Sequence, residues 1–252
     1  MNMLNFNPSA WRGCLPSRVR LNRMPNFTGM VQAGDSSLGD WTPYVVPSEQ
    51  QNGGSCSAHG NGNWWEAMIR FGHGRVAIPY GYQLDTDLAY LRARQEFYGD
   101  QDLNGGLTIP QGFGGLKLMG WIPDDAEMVE VDRSWEARSE ALLMAPLIVG
   151  QHLHAGWGDP SPENGCLDHA YTPTVADGYH CTVHLKNVEK DQVKFVVGQN
   201  SWGPTWAWNG LYLQSDTEFQ RDVMPFGVYT IILPANWLAF DGWKQGLVRD
   251  KS

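Results

Sequence analysis

The spacing of apolar and polar positions divides the chain into a helical half and a later half of short strands. Apolar residues recur at helical spacing over residues 55–71, 86–98 and 112–119. Short runs rich in β-branched and aromatic residues, bounded by turn residues, follow at 145–151, 180–185, 193–198, 210–213 and 228–233. This order predicts an α+β protein in which a helical lobe precedes a β lobe.

The two ends of the chain differ from this central region. Residues 1–37 are polar and interrupted by prolines, so we expect an arm that docks irregularly or stays loose. Residues 38–234 form the predicted domain, and residues 235–252 are expected to pack on it as a C-terminal extension. The apolar side chains expected to make that contact are Trp237, Leu238 and Trp243.

Composition and charge restrict the class of protein. With 42% hydrophobic and 18% charged residues, the chain is too apolar for a disordered protein and can bury a substantial core. Its net charge of −9 and its 18 scattered basic residues do not provide the basic surface that nucleic acids require. No segment has the pattern of a signal peptide or a membrane-spanning helix. We therefore expect no nucleic-acid or membrane partner, and a cytoplasmic or virion-associated location rather than secretion.

One cysteine stands out by its position. The cysteines lack CxxC spacing and are too sparse for a disulfide framework, which argues against zinc-knuckle and thioredoxin-type sites. Cys56 lies in the first turn of the predicted helix 55–71, where unpaired amides and the helix dipole stabilise a thiolate. Gly53 and Gly54 would keep side chains away from a substrate carbonyl, and Gln50 can supply an amide donor beside the thiol. These features indicate a nucleophile with an oxyanion hole.

Two ordered motifs resemble those of the papain-like cysteine peptidase family. Residues 50–56, Gln-Gln-Asn-Gly-Gly-Ser-Cys, resemble the family's nucleophile segment, and residues 200–203, Asn-Ser-Trp-Gly, resemble the segment that closes its active site. His180 lies between them at the start of a predicted strand, where the family places its catalytic histidine. The resemblance spans roughly residues 38–234. It implies a papain-like two-lobe fold, with a helical lobe and an antiparallel β-barrel-like lobe facing across a cleft.

The resemblance implies a role for each matching residue. Cys56 is the expected nucleophile, paired as thiolate with a His180 imidazolium, while Asn200 orients His180 and Gln50 stabilises the oxyanion. It implies no metal or other cofactor. The residues expected to contact substrate are Gly105, Gly106, Cys181, Trp202 and Trp206. Trp202 is also expected to shield the histidine from water, and for Cys181 an ordinary inward-facing strand position is an equal alternative.

The sequence also departs from the family pattern. Ser57 follows the nucleophile where the family usually has tryptophan, and His59 replaces a common aromatic residue. The residues before Trp41 are too few for the family's helical propeptide, so zymogen control of the ordinary kind is not expected. His184 shares a strand face with His180 and is a rival base. The histidines given no role are His59, His152, His154 and His169.

Three functional hypotheses follow. The leading one is an endo- or exopeptidase that acts on a peptide or protein substrate. The second is a catalytically silent papain-like domain that serves as a structural or binding component of a larger assembly, such as a phage particle, motivated by Ser57, His59 and the missing propeptide. The third is a cysteine acyl-transfer enzyme, such as a cell-wall peptide hydrolase or a transglutaminase-like protein, but those families lack the Asn-Ser-Trp-Gly segment.

Overall fold

The computed structural model describes residues 14–15, 39–158, 167, 178–190 and 192–249. In this part of the chain the α-helices are α1 (Cys56–His73), α2 (Thr86–Tyr98), α3 (Ile109–Leu118), α4 (Trp135–Leu142) and α5 (Asp216–Asp222). The strands are β1 (Cys14–Leu15), β2 (Tyr82–Leu84), β3 (Leu107–Thr108), β4 (Glu127–Glu130), β5 (Leu147–His152), β6 (Tyr179–Lys190), β7 (Val193–Gln199), β8 (Leu211–Ser215), β9 (Val223–Ile232) and β10 (Leu247–Arg249). Short 3-10 helices lie at Thr42–Tyr44, Ala155–Trp157, Trp237–Ala239 and Gly242–Gly246.

The helical lobe is built around α1. Every residue from Cys56 to Ile69 is buried, so α1 is a central helix covered on all sides rather than a surface helix with one apolar face. Helices α2 and α3 pack against it. The Asp85 side chain accepts the Leu88 N–H and thereby caps α2. The packing of α2 and α3 against α1 thereby fixes the position of Cys56, its first residue.

The β lobe is one antiparallel sheet of six strands in the order β4-β9-β5-β6-β7-β8. In the pairing of β5 with β6, Gln151 lies opposite His180. The predicted fold class, a helical lobe followed by an antiparallel β lobe, is confirmed. Among the described strands, however, the sheet is open: β4 and β8 are its edges and do not pair with each other to close a barrel.

The two lobes meet where α1 packs against β5 and β6. A Cβ atom added to Gly60 would lie 2.6 Å from Cys181 Sγ, so the helix and the strand approach more closely than a larger residue would permit. One core cluster contains buried side chains from both lobes, including Trp64, Ile148 and Val183. The lobes are therefore held by a continuous apolar interface.

Short strands from both ends of the chain add to this body. Of the predicted arm, the structure describes Cys14–Leu15, which pairs in parallel with Leu107–Thr108 and lies beside β6. The rest of residues 1–37 lies outside the described residues. At the other end, β10 pairs with β2. No helix in the described ranges is both long enough and apolar enough to cross a membrane.

The described residues of the C-terminal extension contact the helical lobe through aromatic side chains. Trp243 is buried, and the ring centroid of Trp237 lies 5.9 Å from that of Trp65 in α1. Leu238 is 52% exposed, yet it also contacts α1, since a Cβ added to Gly72 would lie 2.6 Å from its Cδ2.

Candidate active site

Cys56 is the first residue of α1 and is fully buried. No side chain caps the start of this helix, and the helix dipole there favours a negative charge at the Cys56 position. The preceding Gly53 has a positive φ, and its added Cβ would collide with the Leu103 carbonyl; one on Gly54 would lie 2.8 Å from the Gly105 carbonyl. These glycines let the loop pack closely against residues 103–105. The sequence predicts a different role for them, which is to keep side chains away from a substrate carbonyl.

The two sequence motifs lie side by side. The Gln51 N–H donates to the Ser201 carbonyl and the Gly203 N–H donates to the Glu49 carbonyl, each over 2.8 Å. Gln50 thereby forms an antiparallel bridge with Trp202. Because Gln50 is exposed while its neighbours Glu49 and Gln51 are buried, it projects from this bridge toward solvent.

Hydrogen bonds fix the tautomer of His180. The backbone N–H of Ser201 donates to Asn200 Oδ1 over 2.7 Å, which identifies this atom as the amide oxygen. His180 Nε2 lies 2.5 Å from the same oxygen and must therefore carry the proton. In a neutral ring, Nδ1 is then the basic nitrogen. Asn200 thus sets both the orientation and the tautomer of His180.

Burial determines the charge of His180. The residue is 1% exposed, and desolvation lowers its pKa to about 4, outweighing the opposing effect of the Asn200 hydrogen bond. The charge of His59 lowers the pKa of His180 further. Burial thus favours the neutral imidazole of His180 at neutral pH.

Aromatic rings enclose His180. The centroid of Trp202 lies 4.8 Å from that of His180, and Trp157 packs edge-on against His180 at 5.8 Å. Trp206 stacks on Trp157 and donates its Nε1–H to the Trp157 carbonyl over 3.0 Å. Trp202 thus lies where it can exclude water from the His180–Asn200 hydrogen bond. Trp157 was not identified from sequence, since it belongs to none of the motifs.

The glycine turn predicted to contact substrate is fixed by an arginine. Arg94 donates from Nη1 to the Gly106 carbonyl over 3.0 Å and pairs with Asp100 over 2.5 Å. A Cβ on Gly105 would lie 2.6 Å from the guanidinium carbon of Arg94. Gly105 is partly exposed, whereas Gly106 is buried. The arginine was not singled out from sequence, because its role depends on a contact with a distant turn.

Two other predicted residues lie on β6, the strand that carries His180. Cys181 is 1% exposed and faces Gly60 in α1, the position of a core residue between the lobes. His184, the rival base, has its Nε2 2.8 Å from Asn187 Oδ1 and its ring beside Phe219. Burial holds the pKa of His184 well below its usual value.

The turn predicted before His180 is described in part. Asp177 lies outside the described residues, as does His169. Gly178 has a positive φ, and its carbonyl accepts the Leu153 N–H over 3.0 Å. This bond starts the β5–β6 pairing that positions His180.

Structures with this architecture are known. The chain is similar to a digestive procathepsin L 3 of Tenebrio molitor larval midgut, with 14% identity over 90% of this chain and 78% of that chain and a TM-score of 0.65. It is similar to xylellain, a cysteine protease from Xylella fastidiosa, with 15% identity, coverage of 92% and 100%, and a TM-score of 0.59. A procathepsin B S9 from Trypanosoma congolense matches with 8% identity, coverage of 82% and 81%, and a TM-score of 0.59.

The likeness lies in the structure and in two short motifs rather than in the overall sequence. No protein-family model and no curated protein sequence matches the chain. At these identities the structural matches establish the architecture and leave the chemistry to be argued from the residues themselves. The chain has the papain-like two-lobe fold of the cysteine proteases.

Proposed function

We propose that the chain is a cysteine peptidase that hydrolyses peptide bonds in peptide or protein substrates. The observation that carries the proposal is the buried hydrogen bond from His180 to Asn200, made beneath Trp202. It belongs to the β lobe, which packs against the helix that begins at Cys56. A histidine held in one tautomer by an amide oxygen is the arrangement that a general base requires.

In the proposed reaction His180 begins as a neutral base. Its Nδ1 takes the proton from the Cys56 thiol, and the sulfur attacks the substrate carbonyl carbon. The oxyanion that forms accepts hydrogen bonds from the Gln50 side-chain amide and the Cys56 N–H. His180 then donates its proton to the leaving amine, which gives a thioester on Cys56. Water, deprotonated by the same ring, hydrolyses the thioester and regenerates the thiol.

The proposal is tested by hydrolysis of a denatured, fluorescently labelled protein together with labelling by a thiol-directed epoxide inhibitor. We expect the wild type to cleave the substrate and to form one adduct, located on Cys56 by peptide mapping. Cys56→Ala should lower hydrolysis by about 1,000-fold or more, because it removes the nucleophile.

The second buried thiol provides the matched control. In Cys181→Ala the adduct should still form on Cys56, whereas Cys56→Ala should lose it even though Cys181 remains. Absence of both hydrolysis and a Cys56 adduct in folded wild-type protein would contradict the proposal and favour a silent domain.

A further inference from the structure

A second buried histidine lies close to the proposed nucleophile. His59, near the start of α1, is 1% exposed, with its Nδ1 3.2 Å from the Ser55 carbonyl and its Nε2 3.0 Å from Glu49 Oε2. A carbonyl and a carboxylate both accept hydrogen bonds, so both ring nitrogens are placed to donate. His59 is therefore a protonated imidazolium that forms an ion pair with Glu49.

The surrounding charges agree with this assignment. Burial alone would lower the pKa of His59, but the Glu49 carboxylate, with a smaller contribution from Asp87 Oδ1 at 3.9 Å, raises it above its usual value. Asp85 lines the same small cavity beside this pair, and His180 is the other titratable group that senses the charge of His59. The cation is thus opposed mainly by Glu49.

Glu49 connects three parts of the fold. Its Oε2 accepts the Thr86 hydroxyl of α2 over 2.7 Å as well as the His59 proton of α1. Its backbone carbonyl accepts the Gly203 N–H on the opposite side. Gln50 follows directly in the chain. The main-chain hydrogen bonds of its neighbours Glu49 and Gln51 connect it to the Asn200 segment, and the Glu49 side chain connects it to the helical lobe.

We propose that the Glu49–His59 ion pair positions the oxyanion donor Gln50 relative to Cys56. This inference rests on the proposed function and adds two positioning residues to it. Donors of an oxyanion hole act only when held close to the productive geometry, within about 0.5 Å. The ion pair holds the segment that carries Gln50 against the helix that carries Cys56, so the spacing between donor and nucleophile does not depend on substrate.

The test compares Glu49→Gln and His59→Gln with wild type in steady-state hydrolysis. Each variant breaks the ion pair while keeping a side chain that can form hydrogen bonds. We expect kcat to fall by about 10- to 100-fold and KM to change by less than about threefold, because the contact acts in the transition state. Both variants also discharge His59, so the pKa of His180 should rise and the acid limb of kcat/KM should move to higher pH.

A matched control is Asp216→Asn, which breaks the partly buried Arg138–Asp216 ion pair of the β lobe. We expect it to lower the unfolding midpoint without changing kcat or the acid limb. The inference is overturned if Glu49→Gln and His59→Gln keep kcat within about twofold of wild type, or if Asp216→Asn loses as much kcat as they do.

Hydrogen exchange separates this inference from the proposed function. If wild type cleaves nothing, the proposed function fails, and exchange in a peptide covering residues 48–54 decides the positioning role. Faster exchange there in Glu49→Gln and His59→Gln, but not in Asp216→Asn, supports the ion pair as the anchor of Gln50. Unchanged exchange in both variants overturns it.

Discussion

At the scale of single residues, the hydrogen bond between His180 and Asn200 is the most informative contact. It joins a strand of the β lobe to the segment paired with Gln50, and Trp157 and Trp202 cover it on two sides. A short, dry hydrogen bond of this kind restricts the ring to one orientation, which is what transfer of a proton over a fixed distance requires.

The chain offers a matched pair of variants for this contact. Asn200→Ala removes the acceptor of the His180 proton, so the ring loses its fixed orientation, and we expect kcat/KM to fall by about 10- to 100-fold. Asn187→Ala breaks the equivalent hydrogen bond to His184 and should leave kcat/KM near the wild-type value. Equal losses in the two variants would show that Asn200 acts only through stability.

The residues of the site divide into those that sequence motifs predict and those that they do not. Two contacts join residues that the family resemblance identifies. Gln50 forms a bridge with Trp202, and His180 forms a hydrogen bond with Asn200. The Glu49–His59 ion pair and the Arg94 contact join residues with no shared motif. The histidine was given no role because a lone histidine in sequence does not reveal its acceptors.

At the scale of elements, the close approach of α1 to β6 depends on Gly60. In Gly60→Ala the new methyl group would meet Cys181 Sγ at 2.6 Å, so the helix must shift, and we expect a loss of about 1–3 kcal/mol in the free energy of unfolding. Urea denaturation measures this loss. The double variant Gly60→Ala, Cys181→Ala removes the opposing sulfur and should lose less than the two single variants combined. Strictly additive losses would contradict a direct clash.

Most long elements were predicted, and the misses have local causes. The bounds of α2 agree with the prediction, whereas α3 begins earlier than predicted, at Ile109, with Pro110 in its first turn. Proline suits a first turn because its missing N–H has no intrahelical partner there. The Thr108 cap, which accepts the Gln111 N–H, was an available signal for that start.

The unpredicted elements are short. Helix α5 was missed although Ser215 and Glu218 stand at capping-box spacing and the Ser215 side chain accepts the Glu218 N–H. Helix α4 has a similar serine cap at Ser134 but no apolar periodicity to indicate it. Strands β2, β4 and β10 have only three or four residues, too few for a hydrophobic pattern to distinguish a strand from a loop.

At the scale of the whole molecule, buried neutral histidines make stability sensitive to acid. His180 has a pKa of about 4 when folded, and that of His184 is also depressed, against about 6.5 when unfolded. Between these values the unfolded chain binds protons that the folded chain does not, so stability falls as pH falls from about 6.5 toward 4. His180 alone would contribute about 3 kcal/mol to this loss.

Urea midpoints at pH 7 and pH 4.5 test this expectation. The midpoint should be clearly lower at pH 4.5, and the difference should shrink in His184→Gln, which removes one of the titrating groups. His59 has the opposite effect on stability. Because its pKa is raised in the folded state, it adds stability at low pH, and this stability is lost as pH rises through the folded-state pKa. Equal midpoints at the two pH values would mean that the histidines remain hydrated in the folded state.

The burial of Cys56 has a kinetic consequence. A thiol without exposed surface reacts only when the site opens transiently. Its observed reaction rate is then the fraction of open molecules multiplied by the reaction rate of the open form. At high reactant concentration the observed rate cannot exceed the rate at which the site opens. For a peptidase the same ceiling limits turnover, because no substrate is cleaved more often than the cleft admits one. Opening of the interface between the lobes, rather than bond cleavage, would then be the rate-limiting step. Between turnovers the closed interface would also protect the Cys56 thiol from oxidants.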